Sequence, residues 1–317
     1  MEEYPELEEM IQQLKTPEKK RKSLRPEAIM AIIAAFCAVL FGIVVAISWP
    51  YFGSGEDPEN LVRPQHLAEE KLPDVTEAPT EETEPETEPT IPPELNPYGP
   101  HDFQFSYDGY LKLENERSYS GVDVSAFQGN IDWQKVKDSG IQFAIIRLGY
   151  RGYGKAGKMV EDEYAQKNLK GVTQVGLPYG VYFFSQALNR KEVKEEVDFL
   201  LKILGDYEPT LPIVFDWEHV SAEGARSEHM DADTLTDCAL YFGELIEAAG
   251  YTPMMYFNWY QSLHDYHLKE LERYPFWLAL YQDRMTYPYR VEMWQYTCTG
   301  RVPGITGNVD INVYMPW

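Results

Sequence analysis

Short apolar runs alternate with segments of helical periodicity after residue 118, and this alternation limits the possible folds more than any other feature of the sequence. The runs that have the character of β-strands are residues 121–125, 143–150, 179–185, 211–218, 254–259, 276–282, 292–297 and 309–314. The helical patterns between the first six runs are residues 133–139, 161–175, 190–204, 232–249 and 262–273. Regular strand–helix alternation predicts a parallel sheet, and eight such units predict closure into a barrel.

The last three predicted strands have no helix between them. Their connections, residues 283–291 and 298–308, are shorter than the crossover of about a dozen residues that joins parallel strands. The predicted fold class is therefore α/β: an irregular eight-stranded β/α (TIM-like) barrel at residues 118–317, with partly antiparallel pairing at its end.

An apolar stretch at residues 28–49 contains no charged residue. At about 1.5 Å of rise per residue it would extend roughly 33 Å, which is enough to cross a hydrocarbon core of about 30 Å. Basic residues precede the stretch and acidic residues follow it, a distribution that predicts a cytoplasmic N-terminus. We expect a cytoplasmic segment at 1–27, a single transmembrane helix at 28–49 in the cell membrane, and an extracellular remainder. A cleaved signal peptide is the alternative, although the long polar segment before the stretch argues against it.

Residues 50–117 form the predicted extracellular linker, which is rich in Pro, Glu and Thr. Its middle, residues 77–90, reads EAPTEETEPETEPT. Because proline removes backbone donors and glutamates repel one another, this stretch is predicted to form no core and to act as a spacer.

The charge of the chain excludes one class of partner. There are 51 acidic and 28 basic residues, a formal net charge of −23, which argues against binding of nucleic acid through its phosphates. The three cysteines, Cys37, Cys238 and Cys298, lack metal-ligand spacing and are expected to be unpaired, with a disulfide between the last two as the alternative. His264 and His267 are interpreted as a surface pair rather than as metal ligands. We expect no metal and no cofactor, and no motif indicates a protein partner.

Two carboxylates end the fourth predicted strand. Asp216 and Glu218 flank Trp217, and since side chains alternate along a strand, both carboxylates share one face while Trp217 points to the other. In β/α barrels the active site lies at the C-terminal ends of the strands. Neighbouring carboxyl groups raise each other's proton affinity, so that one can stay protonated while the other is ionised. Hydrolysis of a glycosidic bond needs this arrangement.

Two further acids lie in the first and last strands. Asp123 interrupts the apolar segment Gly-Val-Asp-Val-Ser, and Asp310 lies in Asn-Val-Asp-Ile-Asn. In a closed barrel the first and last strands are neighbours, so we expect both acids to face the pocket of Asp216 and Glu218. For any one of these acids alone, a helix cap or a surface group is the alternative.

Aromatic side chains near the strand ends are candidates for binding sugar rings by stacking, although barrel core is the alternative for some of them. The candidates are Tyr150, Tyr182, Phe184, Tyr256, Trp277, Tyr281 and Trp294.

Seven short motifs occur in order along the barrel sequence. They are Gly121-Val-Asp-Val-Ser, Ile146-Arg-Leu-Gly-Tyr150, Gly180-Val-Tyr-Phe-Phe-Ser185, Asp216-x-Glu218, Trp277-Leu-Ala-Leu-Tyr281, Trp294-Gln-Tyr296 and Gly307-Asn-Val-Asp-Ile-Asn312. Together they resemble the lysozymes of glycoside hydrolase family 25, from about Ser120 to the C-terminus. The resemblance implies an irregular β/α barrel with N-acetylmuramidase activity, the hydrolysis of the β-1,4 bond between N-acetylmuramic acid and N-acetylglucosamine in peptidoglycan.

The same resemblance implies roles for the four acids. Glu218 would be the general acid, Asp216 would orient the acetamido group of the substrate, and Asp123 and Asp310 would tune the pocket. It also favours retention of configuration with the substrate's own acetamide as the nucleophile, although direct displacement by water is the alternative.

Two departures from the family pattern leave other functions open. Trp217 stands where a small aliphatic residue is more usual, and Asn258 and Trp259 end the fifth predicted strand; both features could reshape the cleft. The alternatives are a catalytically silent module that binds cell-wall glycan and a glycosidase that acts on another N-acetylated glycan.

Overall fold

The computed structural model describes residues 93–114 and 117–316. The cytoplasmic segment predicted at 1–27, the transmembrane helix predicted at 28–49 and linker residues 50–92 lie outside this range. Within the described part of the chain, no helix is both long enough and apolar enough to span a membrane.

The elements follow the predicted order, and those at residues 179–185, 190–204 and 309–314 have the predicted bounds. The strands are β1 (Phe103–Phe105), β2 (Leu111–Leu113), β3 (Tyr119–Val124), β4 (Phe143–Arg151), β5 (Met159–Glu161), β6 (Tyr179–Ser185), β7 (Ile213–Trp217), β8 (Pro253–Asn258), β9 (Phe276–Ala279), β10 (Met293–Gly300) and β11 (Val309–Tyr314). The helices are α1 (Trp133–Asp138), α2 (Ala165–Val175), α3 (Arg190–Leu204), α4 (Ala232–Ala248), α5 (Trp259–His264) and α6 (Leu268–Leu271).

Within the described residues, eight strands close into a barrel in the order β3, β11, β10, β9, β8, β7, β6, β4, and pairing of β3 with β4 completes the ring. Strand β11 is antiparallel to both β10 and β3, whereas the other neighbours in the ring are parallel. The predicted barrel with a partly antiparallel end is therefore confirmed. Strands β9 and β10 are parallel although residues 280–292 between them contain no helix.

Side-chain alternation divides the apolar core into two layers. The barrel interior holds Phe143, Ile145, Tyr182, Val214, Met254, Tyr256, Trp277, Ala279 and Met293. The opposite faces of the same strands pack against the helices; Phe215, for example, contacts Phe242 of α4 with their ring centroids 5.1 Å apart. Toward the C-terminal ends of the strands, charged and polar side chains replace the apolar ones inside the barrel, and they form the site described below.

Local capping chemistry explains where the helices begin. Asp132 caps α1, since its side chain accepts a hydrogen bond from the backbone N–H of Lys135. The helix predicted at 161–175 begins only at Ala165, because Met159–Glu161 pairs with β4 instead. The helix predicted at 262–273 consists of two short helices, α5 and α6, and Asn258 caps the first of them so that it begins earlier.

A β-hairpin of β1 and β2 packs on the barrel within the range predicted as linker. Phe103, Leu111 and Leu113 are buried, and the ring of Phe103 contacts that of Trp294 with centroids 5.1 Å apart. Farther upstream, Glu94 forms an ion pair with Arg290 at 2.9 Å. The folded domain therefore begins well before residue 118. The prediction of a linker through residue 117 is wrong for this segment because its apolar side chains are buried against the surface of the barrel.

Shortening Phe103 to alanine tests this boundary. Because Phe103 is 8% exposed, Phe103→Ala is expected to destabilise the domain by about 3 kcal/mol in chemical denaturation. Phe105→Ala in the same strand is the matched control, since Phe105 is 55% exposed and its loss should change the stability little. Equal and small effects of the two substitutions would contradict the inclusion of the hairpin in the folded domain.

Candidate active site

The two acids of β7 share the interior of the barrel mouth. Asp216 pairs in register with Phe184 of β6 and Tyr256 of β8, and Glu218 follows directly after the strand. Both carboxyl groups are buried, and they are joined by a hydrogen bond. Trp217 points to the opposite face and is completely buried in the outer layer, as strand alternation predicts.

Burial and neighbouring charge hold protons on this pair. Burial, followed by the negative charge of Asp123, raises the pKa of Glu218 to about 7. Burial, followed by the charges of Glu218 and Asp123, raises the pKa of Asp216 well above its usual range. The pair therefore carries at least one proton at neutral pH, which is the state that an acid catalyst requires.

Asp123 and Asp310 are direct partners across the antiparallel pairing of β3 and β11. Residues directly opposite each other in such a pair project to the same side of the sheet, so both acids belong to the barrel mouth, as expected from the sequence. Asp123 is 6% exposed, and its Oδ2 accepts hydrogen bonds from Gln295 Nε2 at 2.9 Å and from Asn312 Nδ2 at 2.8 Å. Burial raises the pKa of Asp123 to about 6, and the two amide donors limit the rise.

The amides that hold Asp123 are themselves oriented by aromatic donors. Gln295 Oε1 accepts from the hydroxyl groups of Tyr256 at 3.1 Å and Tyr281 at 3.0 Å. Asn312 Oδ1 accepts from Trp277 Nε1 at 2.8 Å. Because both amide oxygens are occupied in this way, the amide nitrogens face Asp123. These aromatic residues thus have polar roles in the site in addition to any contact with a sugar.

A buried cation, Arg147, completes the site and was not among the predicted residues. Its Nε donates to Asp162 Oδ2 at 2.8 Å, and its guanidinium lies 5.1 Å from the ring centroid of Phe127 and 5.5 Å from that of Tyr150. Its positive charge lowers the pKa of both Asp216 and Glu218, opposing the effect of burial. The sequence does carry a signal for Arg147, namely a charged residue at an inward position of the otherwise apolar strand Phe-Ala-Ile-Ile-Arg-Leu.

The predicted aromatic residues other than Trp294 divide into a buried group and a partly exposed group. Tyr182, Tyr256 and Trp277 lie together inside the barrel, and the ring centroids of the last two are 4.8 Å apart. Phe184 is buried in register with Asp216, while Tyr150 and Tyr281 are partly exposed.

The assignment of Trp294 to substrate binding is wrong. Trp294 faces the outer layer with no exposed surface, and its Nε1 donates to the carbonyl oxygen of Leu280 at 2.7 Å. Its neighbours Met293 and Gln295 take the inward positions of β10 instead. Adjacent side chains of a strand point to opposite faces, and the sequence alone does not show whether Trp294 or its neighbours point inward.

The histidines make separate contacts. His219 Nε2 forms a hydrogen bond with Asp265 Oδ2 at 2.7 Å, the ring of His264 lies against that of Tyr260, and His267 contacts Asp233. Among the described residues, no group of His, Cys, Asp and Glu side chains could hold a metal ion. No disulfide joins Cys238 to Cys298.

A closed β/α barrel with two buried, hydrogen-bonded carboxyl groups at the C-terminal ends of its strands has the architecture and the chemistry of a glycoside hydrolase. The family model for glycosyl hydrolases family 25 matches residues 122–305 of the chain. The chain therefore belongs to glycosyl hydrolases family 25.

Individual relatives agree with this assignment. Lysozyme M1 of Streptomyces globisporus is 26% identical over 204 residues, which are 61% of this chain and 67% of the relative. The modular autolysin LytC of Streptococcus pneumoniae is 25% identical with a TM-score of 0.54; it has also been solved in complex with a synthetic peptidoglycan ligand. The alignment with LytC covers 67% of this chain and 56% of that chain. A family 25 glycosyl hydrolase of Bacillus anthracis, 20% identical, shares the fold with a TM-score of 0.53 over 64% of this chain and 91% of that one.

Proposed function

We propose that this protein hydrolyses peptidoglycan by cleaving the β-1,4 bond between N-acetylmuramic acid and N-acetylglucosamine. The observation that carries the proposal is the buried, hydrogen-bonded pair of Asp216 and Glu218 at the mouth of a family 25 barrel. The names of the relatives support the substrate class, since one is a lysozyme and another is an autolysin solved with a peptidoglycan ligand.

In the proposed first step, Glu218 donates its proton to the glycosidic oxygen as the bond from that oxygen to the anomeric carbon breaks. Its pKa of about 7 keeps a substantial fraction of Glu218 protonated at neutral pH. The acetamido oxygen of the substrate attacks the anomeric carbon, and Asp216 orients the acetamide and stabilises the positive charge that develops on it. This role requires the ionised form of Asp216. Burial raises the pKa of Asp216 well above its usual range in the free site, and the charge of Arg147 and the positive charge that develops on the substrate both oppose that rise.

In the second step, water attacks the anomeric carbon and opens the cyclic intermediate, and the Glu218 carboxylate takes the proton from that water. Two displacements at one carbon retain its configuration. Proton NMR of the product formed first in the reaction tests this step. The β-anomer is expected, whereas the α-anomer would indicate direct displacement by water.

The protonation of Glu218 predicts a pH dependence. Because the general acid has to be protonated, and its pKa is raised to about 7, kcat/KM is expected to fall as the pH rises through 7. An ordinary, unperturbed glutamate would place this alkaline limb near pH 4.3. Measuring kcat/KM from pH 4 to 9 distinguishes the two cases, and a limb well below pH 6 would contradict the role assigned to Glu218.

Two alternative functions make different predictions on the same substrates. A silent binding module would retain peptidoglycan and release no fragments from it. A glycosidase for another N-acetylated glycan would release fragments from chitin more readily than from peptidoglycan. Mass spectrometry of soluble products from both polymers separates these alternatives from the proposed muramidase.

We also propose that residues 28–49 hold the enzyme at the cell membrane, with the barrel outside the cell and facing the wall. The support for this proposal is the uncharged stretch, the basic cluster before it and the acidic spacer after it. Protease added to intact, wall-stripped cells should digest the barrel of the full chain and leave a short membrane-embedded N-terminal fragment. Release of the intact chain into the medium would contradict the anchor.

A further inference from the structure

Glu218 lies one residue beyond the hydrogen-bonded end of its strand. The pairing of β6 with β7 ends at Ser185 and Trp217, and the pairing of β7 with β8 ends at Asp216 and Tyr256. The residue that bears the acid is therefore outside the sheet ladder, although it is only 8% exposed. Buried backbone groups need hydrogen-bond partners, so groups other than neighbouring backbone have to supply them here.

Two buried glutamines supply these partners. Gln186 Nε2 donates to the carbonyl oxygen of Glu218 at 2.8 Å, and Gln261 Nε2 donates to the carbonyl oxygen of Trp217 at 2.9 Å. Gln186 directly follows β6, and Gln261 lies in α5, which directly follows β8. Each strand that flanks β7 is thus followed by one side-chain amide that continues the hydrogen bonding past the end of the ladder. Both glutamines are completely buried.

Each amide is held in one orientation by a second hydrogen bond. Ser227 Oγ donates to Gln186 Oε1 at 2.5 Å, and the backbone N–H of Asn258 donates to Gln261 Oε1 at 3.2 Å. Because each oxygen accepts a hydrogen bond, the amide nitrogen has to face the carbonyl at the end of β7. The two glutamines therefore have defined geometry and form what we term the glutamine brace (Gln186 and Gln261).

We propose that Gln186 and Gln261 are positioning residues for the proton donor: they hold the backbone at Trp217 and Glu218 and thereby keep the Glu218 carboxyl beside Asp216. This inference rests on the proposed function, in which Glu218 donates the proton. Displacement of a reacting group by about 1 Å costs on the order of 10²-fold in rate. Neither glutamine is among the residues expected to contact the sugar, so loss of the brace should lower kcat more than it weakens substrate binding.

The test is Gln186→Met in the full chain, assayed on a soluble peptidoglycan oligosaccharide. Methionine keeps the length and volume of the side chain but cannot donate to the Glu218 carbonyl. We expect kcat to fall about 10- to 100-fold while KM stays within about threefold. We also expect the alkaline limb of kcat/KM to move to lower pH. Burial is the main cause of the raised pKa of Glu218, and a loosened strand end exposes the carboxyl group.

Gln142→Met is the matched control. Gln142 Oε1 accepts from the backbone N–H of Ser120 at 3.2 Å, next to the start of β4, at the end of the barrel opposite the site. This control also removes one hydrogen bond between a glutamine side chain and the backbone, here a partly buried one, so it should lower the melting temperature and leave kcat and the alkaline limb unchanged. If Gln186→Met likewise changes only the melting temperature, the glutamine has a purely structural role and the proposal is overturned.

Two further measurements keep the proposal testable. If Gln186→Met does not fold, Gln261→Met is assayed in the same way, with the same expected fall in kcat and the same overturning result. If the wild-type chain shows no hydrolysis, the proposed function fails. In that case the brace is tested by measuring the pKa of Glu218 in wild type and in Gln186→Met, using carbon NMR of its carboxyl group. A lower pKa in the variant supports the brace, and equal values refute it.

Discussion

Replacement of Glu218 by glutamine is expected to lower kcat on peptidoglycan by about 10³-fold, within the range that general acid catalysis contributes. Glutamine has nearly the same shape as glutamic acid, but it cannot donate a proton to the glycosidic oxygen. Because Glu218 is buried with its carboxyl group hydrogen-bonded to Asp216, the isosteric change should preserve the fold and the binding of the glycan. Zymography and reducing-sugar release measure the loss, and cosedimentation with insoluble peptidoglycan measures the retained binding.

An aryl glycoside of the substrate sugar makes this prediction sharper. A leaving group such as p-nitrophenolate departs without protonation, so Glu218→Gln should lose far less activity on that substrate than on peptidoglycan. Equal losses on both substrates would show that Glu218 supports the site in some way other than by donating a proton. Equal clearing of peptidoglycan by wild type and variant would contradict any catalytic role of Glu218.

The second large effect is expected from Asp216→Asn, which should lower kcat by about 10²-fold. Asparagine fills the same buried space and can still donate a hydrogen bond to Glu218, but it lacks the negative charge that stabilises the attacking acetamide. The alkaline limb should stay near pH 7. The causes that raise the pKa of Glu218 are burial and the charge of Asp123, and both remain in this variant.

Asp123→Asn is the comparison for Asp216→Asn. Removing the charge of Asp123 removes the second cause of the raised pKa of Glu218, so the alkaline limb should move to lower pH in this variant. The two substitutions therefore distinguish the role of Asp216, whose charge stabilises the acetamide, from that of Asp123, whose charge raises the pKa of Glu218. A wild-type kcat for Asp216→Asn would contradict the assistance assigned to Asp216.

Much of the barrel follows from the sequence because strand and helix periodicity is a local property. Residues 179–185 form a short, largely apolar run and residues 190–204 have apolar side chains at helical spacing, and both segments adopt the predicted elements with the predicted bounds. Strand alternation also gave the shared face of Asp216 and Glu218 and the outward direction of Trp217. The closure of the ring, which brings Asp123 opposite Asp310, follows from the count of strands.

The remaining features depend on contacts between distant parts of the chain. The ion pair of Arg147 with Asp162 and the amides of Gln295 and Asn312 on Asp123 join residues whose partners no local pattern identifies. The sequence pattern places Trp294 on the wrong face because a shift of one residue in a strand reverses every side chain. No local pattern predicts the hairpin at Phe103 either, since Phe103 packs against Trp294 of the distant strand β10.

The central claim is that the barrel is a muramidase, and the most direct measurement is the identity of the reducing ends that the full chain releases from purified peptidoglycan. Borohydride reduction followed by mass spectrometry identifies those ends. We expect fragments that end in reduced N-acetylmuramic acid from the wild type, and almost none from Glu218→Gln. Fragments that end in reduced N-acetylglucosamine, or no fragments from the wild type, would contradict the account.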